Sequence, residues 1–337
     1  MSGLNLVTIK HKNNLGVKIA GCGFFVPERK LTNLDLEKMV DTSDEWILQR
    51  TGIKERYLTP EGVASSDLAV HSSLQAIKSA GIKKIDLIIV TTVTPDYPVP
   101  AGANLLQDKI GATKAGAFDL NAGCSGFSYG LVTGSQFIIS GNYKNVLVVG
   151  VDTLSRITDF TDRNTCVLLG DGAGSVVLQR DEGESGPVAF TLGSDGGKYD
   201  SIIVPAGGSL HPASIASIEN KSHFVRMDGR AVFEFAVNKT VGVIQEVLDK
   251  ARLNIKDIDY FLLHQANLRI LEGISRKLKI PWSKILVNID RYGNTSAASL
   301  PILLTEAINE DKIKKGQLLL FAGFGAGLSW GVTIWRW

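Results

Sequence analysis

Apolar residues along this chain recur in two spacings, and each spacing predicts a different element. Short continuous runs read as buried strands: Gly16 to Phe25, which ends in a turn at Pro27, then Ile85 to Thr91, Gly116 to Leu120, Asn145 to Gly150 and Ser175 to Leu178. Apolar positions three and four apart read as helices. Ser66 to Ala80 is one, with Leu74, Ile77 and Ala80 on one side, and Asn33 to Met39 is a short capped one. The segment Asp41 to Arg56 opens on capping residues and sets Trp46 and Arg50 one turn apart. Leu318 to Trp335 is uncharged over a transmembrane length, but Gly323, Gly325, Gly327 and Gly331 within it predict two strands and a tight loop.

The second half of the pattern repeats the first. Ile85 to Thr91 aligns with Ile258 to His264, each after an amphipathic helix, the second running from Val241 to Arg252. Phe118-Asp-Leu aligns with Val287-Asn-Ile, Asn145 to Val149 with Gln317 to Phe321, and Ser175 to Arg180 with Gly331 to Arg336. Strands alternating with crossover helices predict mostly parallel sheets covered on both faces. Two such halves predict a duplicated five-layer α/β/α/β/α fold with pseudo-twofold symmetry. Its halves are residues 1–185 and 186–337, divided in the polar break from Asp181 to Gly186.

Composition narrows the class. With 44% apolar and 21% charged residues the chain reads as a soluble globular protein, and a net charge of +2 without any nucleic-acid signature argues against nucleic acid as a partner. Cys22, Cys124 and Cys166 form no C-x-x-C pair and no cluster with histidine, which argues against a disulfide framework or a structural zinc and points to a reducing compartment. Met1 to Leu15 is polar and lacks the apolar core of a signal peptide, so the expected location is the cytoplasm and no membrane is expected as a partner.

Candidate chemistry centres on Asn121-Ala-Gly-Cys-Ser-Gly-Phe-Ser-Tyr-Gly130, where a strand hands over to a helix. The first turn of a helix offers unpaired N–H groups and the positive end of a dipole, so the Cys124 thiol is expected to fall from about 8.5 toward neutrality. Gly123 and Gly126 clear space for an acyl group and for backbone donors. A lone cysteine is also, more often, a small buried hydrophobe. His264 after a buried strand reads equally as a core histidine, and Gly293-Asn294-Thr295-Ser296 as an ordinary turn and cap. The duplication would bring all three to strand ends at the interface between the halves.

These residues lie in long motifs: Thr42-Ser-Asp-Glu-Trp-Ile with Arg50-Thr-Gly-Ile, Ala122-Gly-Cys-Ser-Gly-Phe, Gly170-Asp-Gly-Ala-Gly, His264-Gln-Ala-Asn-Leu-Arg-Ile, Gly293-Asn-Thr-Ser-Ala-Ala-Ser, and Gly323 to Gly331. With them the chain, from Gly16 to Trp337, resembles β-ketoacyl-acyl-carrier-protein synthase III, the initiating condensing enzyme of bacterial fatty-acid synthesis in the thiolase superfamily. The resemblance implies an acyltransferase in which Cys124 takes an acyl group from acyl-CoA. His264 and Asn294 would then bind the malonyl-acyl-carrier protein carbonyl during decarboxylation. The backbone N–H groups of Cys124 and Ala326 would form the oxyanion hole. It places the CoA adenine between Trp46 and Arg163 with Arg50 near the phosphates, and lines the pantetheine tunnel with Met227, Gly229, Phe233, Asn267 and Phe324.

The same resemblance implies no cofactor, since CoA thioesters are substrates, and no metal. It implies a homodimer in which the Phe that many relatives carry at position 99 closes the end of the partner's acyl channel, so that Val99 in its place leaves a roomier acyl pocket. Basic residues on the segment Arg269 to Lys284, namely Arg269, Arg276, Lys277, Lys279 and Lys284, would face the acidic carrier protein around an apolar stripe of Ile270, Ile274 and Leu278. A related condensing enzyme of secondary metabolism is the alternative. A catalytically dead subunit fits less well, because the nucleophile remains, and a hydroxymethylglutaryl-CoA synthase relative would need a Glu between Thr91 and Asp181 that is not there.

Overall fold

The computed structural model describes residues 16–337, so the reading of Met1 to Leu15 lies outside the described residues. Five strands within residues 16–181 form one sheet. In spatial order they are β1 (Gly16–Phe25), β5 (Gly172–Asp181), β4 (Asn145–Asp152), β2 (Leu87–Thr91) and β3 (Gly116–Leu120). Four strands within residues 186–336 form the other: β7 (Tyr260–Leu263), β8 (Leu318–Gly325), β9 (Ser329–Arg336) and β6 (Gly186–Ser194). The strand boundaries follow the apolar runs to within a few residues.

Three layers of helix alternate with these two sheets. The central layer holds α2 (Gly126–Ile139) and α5 (Ser299–Asn309), one from each half of the chain. Phe127, Leu131 and Ile138 of α2 and Leu300, Leu303 and Leu304 of α5 pack with Val148 and Val176 of the first sheet and Phe321 and Trp335 of the second, in one continuous core. The outer layers are α1 (Ser65–Ala80) on the first sheet, with α3 (Gly229–Ala251) and α4 (Leu268–Leu278) on the second. The five-layer duplicated architecture is therefore present.

The sheets are mixed, where the alternation of strand and helix predicted mostly parallel ones. Strand β2 runs parallel to β3 and β4, but β5 is antiparallel to both β4 and β1. In the second sheet only the β7 to β8 pairing is parallel. The reason lies in the connections: β8 and β9 are joined by three residues, which permits a hairpin and excludes a crossover helix. Val287-Asn-Ile, aligned with the β3 residues Phe118-Asp-Leu, is not a strand. There the chain makes a single parallel bridge between Phe261 and Ile285 and then turns into the short helix Ile289–Tyr292.

The outer face of α1 also differs from its apolar spacing. Its buried residues are Ser65, Ser66, Leu68, Ala69, Ser72, Ser73 and Ala76, whereas Leu74 is 48% exposed. Small residues win because the helix lies almost on β1: a Cβ at Gly21 would come within 2.9 Å of the Ala80 Cα. The buried Ser72 hydroxyl is satisfied by Ser175 at 2.7 Å. These two helices generate opposite expectations. Leu304→Ala in the central layer should cost about 2–5 kcal/mol, whereas Leu74→Ala should stay within about 0.5 kcal/mol of the parent. Urea-unfolding midpoints measure both, and equal losses would contradict this assignment of the core.

Candidate active site

The site is assembled where turns from both halves meet. After β3 the chain makes a single 3₁₀ turn, Gly123–Ser125, and then enters α2, so Cys124 stands at the mouth of that helix as its sequence suggested. Against this turn lies the loop between β8 and β9. A Cβ on Gly325 would sit 2.7 Å from the Cys124 backbone N, and one on Gly123 would sit 2.9 Å from the Ala326 carbonyl oxygen. Gly123 also has φ +56°, a left-handed conformation that a side chain disfavours. Two hydroxyls lock the contact. Ser125 Oγ donates to the Ala122 carbonyl at 2.6 Å and lies 2.8 Å from Ser329 Oγ, which is within bonding distance of the Ala122 and Ala326 carbonyls at 2.9 and 2.7 Å.

Cys124, His264 and Asn294 line a single cavity of about 790 Å³, together with Trp46, Arg50, Met227, Gly229, Phe233, Asn267, Arg269 and Phe324. His264 follows β7 and is almost wholly buried, its ring edge-on to Phe324 at 5.2 Å. Burial pulls its pKa down to about 3, so the ring is neutral, and Nδ1 has no partner among the described residues. Asn294 is not at a strand end, in contrast to the expectation from symmetry. It lies on a turn held by a parallel bridge to Leu169, with its N–H donating to the Leu168 carbonyl at 2.9 Å. Its Oδ1 accepts from the Ser296 N–H at 2.9 Å, which leaves the Nδ2 donors for the cavity.

The Cys124 thiol moves opposite to the expected direction. Burial pushes it up to about 11; the Ser296 hydroxyl and the N–H groups of Cys124 and Ala326 work against that rise, and the Asp152 carboxylate adds to it. Removing a thiolate from water outweighs what one helix terminus returns. The resting residue is a thiol, and the two N–H groups beside it are placed to act on charge that develops during reaction. Cys22 and Cys166 are buried in the core, and burial raises both thiols.

Towards the cavity mouth, Trp46 and Arg50 stand on the helix Asp44–Thr51, capped by Ser43. The Trp46 ring is flanked by Arg163 at 5.1 Å and Arg50 at 5.9 Å. A planar base held between Trp46 and Arg163 would need them about 7–8 Å apart, two contact distances of about 3.5–4.0 Å, so the pair would have to open by about 2–3 Å from its 5.1 Å separation. Asn267 caps α4 through Oδ1 and donates from Nδ2 to the Arg50 carbonyl at 3.0 Å, so it ties the two mouth helices together. Phe233 meets Arg269 at 5.8 Å.

Of the basic segment, Arg269, Arg276, Lys277 and Lys279 are exposed on or beside α4. Lys277 leans on Asn238 Oδ1 at 2.6 Å. Lys284 leaves the group: its ammonium donates to the Lys256 and Ile258 carbonyls at 2.9 and 2.6 Å, because the following 3₁₀ turn aims it at the sheet end. The buried stripe gains Leu271, while Leu278 is only half-buried. Val99 does not reach the cavity of its own chain and is 84% exposed. Sequence reasoning passed over Ser296 and Asp152. The first was absorbed into a turn signature, and the second was one acid ending an apolar run.

Among the described residues no group of three His, Cys, Asp or Glu could hold a metal ion, and no helix is long and apolar enough to cross a membrane. Two family profiles match, 3-oxoacyl-[acyl-carrier-protein (ACP)] synthase III over residues 118–196 and its C-terminal counterpart over residues 248–337. A β-ketoacyl-[acyl-carrier-protein] synthase III from Caldanaerobacter subterraneus subsp. tengcongensis is 49% identical over 323 residues, covering 95% of this chain and 97% of its own. Its counterpart from Clostridioides difficile is 47% identical over 326 residues, covering 95% or more of both chains. The crystal structure of 3-oxoacyl-[acyl-carrier-protein] synthase III from Aquifex aeolicus is 43% identical, covers 96% of this chain and 100% of that one, and has a TM-score of 0.88. With identity of this order over nearly the full length, the chain belongs to the β-ketoacyl-[acyl-carrier-protein] synthase III family.

Proposed function

We propose that this chain is an acyl-transferring condensing enzyme that joins an acyl-CoA starter to malonyl-acyl-carrier protein through an acyl-Cys124 intermediate, and so initiates fatty-acid synthesis. The observation that carries this reading is the single cavity onto which a cysteine, a neutral histidine and an asparagine amide all open, with two backbone N–H groups beside the sulfur. Cys124 Sγ attacks the acyl thioester carbonyl, the bond to the CoA sulfur breaks, and CoA leaves as the thiol with the cysteine proton. Malonyl-carrier protein then enters. Its C–C bond to the carboxylate breaks, CO2 departs, and the electron pair is held as an enolate by N–H donors of His264 and Asn294.

The enolate carbon attacks the acyl-cysteine carbonyl, whose oxyanion is held by the N–H groups of Cys124 and Ala326. Collapse of that intermediate expels the Cys124 thiolate, which takes up one proton. A histidine already neutral is suited to donating a hydrogen bond and not to storing a charge, which fits its burial. A related enzyme of secondary metabolism is the second reading. What favours it is a priming β-ketosynthase from the R1128 polyketide pathway, 31% identical with a TM-score of 0.88. The curated relatives at 45–49% identity weigh toward the first.

The same proposal covers what surrounds the reaction. Trp46, Arg50 and Arg163 take the CoA nucleotide, and Met227, Gly229, Phe233, Asn267 and Phe324 line the pantetheine path. The enzyme needs no cofactor or metal and works in the cytoplasm. The chain is two fused copies divided at 185/186. It forms a homodimer: β3 is the outer strand of its sheet, and its Asp119 accepts from the N–H groups of Gly102 and Ala103, just beyond the exposed Val99 loop.

Cys124→Ala should form no acyl-enzyme with acetyl-CoA by mass spectrometry, while His264→Ala and Asn294→Ala still self-acylate but lose decarboxylation of malonyl-carrier protein by about 10²–10³-fold. Acyl-enzyme on Cys124→Ala would refute the assignment of the nucleophile. For the carrier protein, reversing Arg269 and Lys277 to Glu should raise KM for malonyl-carrier protein, more at low salt than at high, and spare acylation by acyl-CoA. Arg230 already pairs with Glu234 at 3.2 Å and is partly neutralised, so it adds little to that surface. For the starter unit, wild type should accept acyl chains beyond acetyl, each added methylene contributing about 0.8 kcal/mol until the pocket fills. Val99→Phe should cut kcat/KM for butyryl- and hexanoyl-CoA relative to acetyl-CoA, and an unchanged profile would remove Val99 from the pocket.

A further inference from the structure

Asp152, the last residue of β4, is a fully buried carboxylate that the proposed reaction does not use. It does not open onto the cavity, yet it stands directly behind it. Oδ1 accepts from Thr92 Oγ1 at 3.0 Å, the Val93 N–H at 2.7 Å, the Thr94 N–H at 3.2 Å and Thr94 Oγ1 at 2.9 Å. Oδ2 reaches across the interface between the halves to the Ala297 N–H at 3.3 Å. Four donors from the segment after β2 thus hold one oxygen, and the other holds the turn that carries Asn294.

That turn is under local strain. Ser296 has φ +52°, a left-handed conformation that is strained for a non-glycine residue and persists only where its surroundings impose it. In this conformation the Ser296 N–H meets Asn294 Oδ1 and thereby turns the amide. Burial raises the Asp152 pKa, and the hydrogen bonds from Ser296, Val93, Thr94 and Ala297 work against that rise; these donors are matched to a carboxylate and would be poorly matched by a neutral acid. Its negative charge works against a Cys124 thiolate, so a role in activating the nucleophile is not what keeps an acid here.

We propose that Asp152 is a positioning residue for the decarboxylation step: it clamps the Asn294-Thr295-Ser296 turn across the interface so that the Asn294 Nδ2–H group is aimed at the enolate oxygen. The inference rests on the reading of Asn294 as an enolate donor. It differs from a general structural role in being confined to one half reaction and in acting through one residue.

The test is a double-mutant cycle on the full-length enzyme with Asp152→Asn, Asn294→Ala and the pair, assaying acetyl-CoA self-acylation and malonyl-carrier-protein decarboxylation separately. Asp152→Asn should lower kcat for decarboxylation about a hundredfold, the scale expected when a reacting group is misplaced by an ångström, with KM and self-acylation retained. In the Asn294→Ala background it should change decarboxylation by no more than about twofold. Equal loss in both half reactions, no loss in either, or full additivity with Asn294→Ala would overturn the role of Asp152. Intact decarboxylation in Asn294→Ala itself would instead overturn the reading of Asn294. Should Asp152→Asn not fold, Thr92→Val, which removes one hydroxyl donor to the carboxylate and leaves the Thr94 N–H still bonded to it, takes its place in the cycle. It should show the same restriction to decarboxylation at a smaller size, and a loss shared with self-acylation would again count against the proposal.

Discussion

Two stretches of backbone, one ending at Cys124 and the other at Ala326, approach so closely that there is no room for a side chain between them. Gly123 and Gly325 are the residues at the contact, and the Ser125 and Ser329 hydroxyls fasten it from behind. The candidate oxyanion hole exists only because of this approach, since one of its two donors comes from each half of the chain. The rest of the architecture serves to hold that contact still. The central layer packs α2 directly behind Cys124 and shares one core with both sheets, so the facing surfaces of the two halves are merged, while each outer helix layer keeps a core of its own.

Burial then sets the chemistry of what meets there. The same loss of water that raises the Cys124 thiol holds His264 neutral, and in both cases desolvation is the largest cause. A site of this kind favours neutral groups at rest and fixed donors that act as charge appears. It also makes every buried polar atom expensive to leave unpaired, which explains the density of hydroxyl and amide contacts behind the cavity, from Ser125 and Ser329 to the five donors around Asp152. The mouth is different in kind: Trp46, Arg50, Arg163 and Arg269 are partly exposed and aromatic or cationic, the character that the proposed nucleotide and acidic partner would require.

Much of this was legible in the chain itself. Strands β1 and β2, the paired strands β8 and β9, and the order of elements in both halves follow from apolar runs and glycines, because a buried strand must be apolar whatever surrounds it. Cys124 at a strand-to-helix turn and His264 after a buried strand were readable for the same reason, as was the glycine pattern around Ala326. Spacing decided less where residues serve a contact and not a core: the Leu74 face of α1 yielded to small residues, and Val287 to Ile289 proved too short of partners to form a strand.

Only the tertiary structure decided the direction of the Cys124 titration, the removal of Lys284 from the basic face, and the contacts that Asp152 and Ser296 make. Each depends on groups that lie on different elements, well separated in the chain, or on how much water reaches an atom. Neither quantity leaves a local trace. A single acid at the end of a strand reads as a solvated terminus until the strands around it are closed on both sides. What the sequence determined by itself was where backbone and apolar surface go, since those are local requirements of each element. Charge, acidity and aim belong to the assembled interface, because desolvation and hydrogen-bond geometry are properties of everything that surrounds a group.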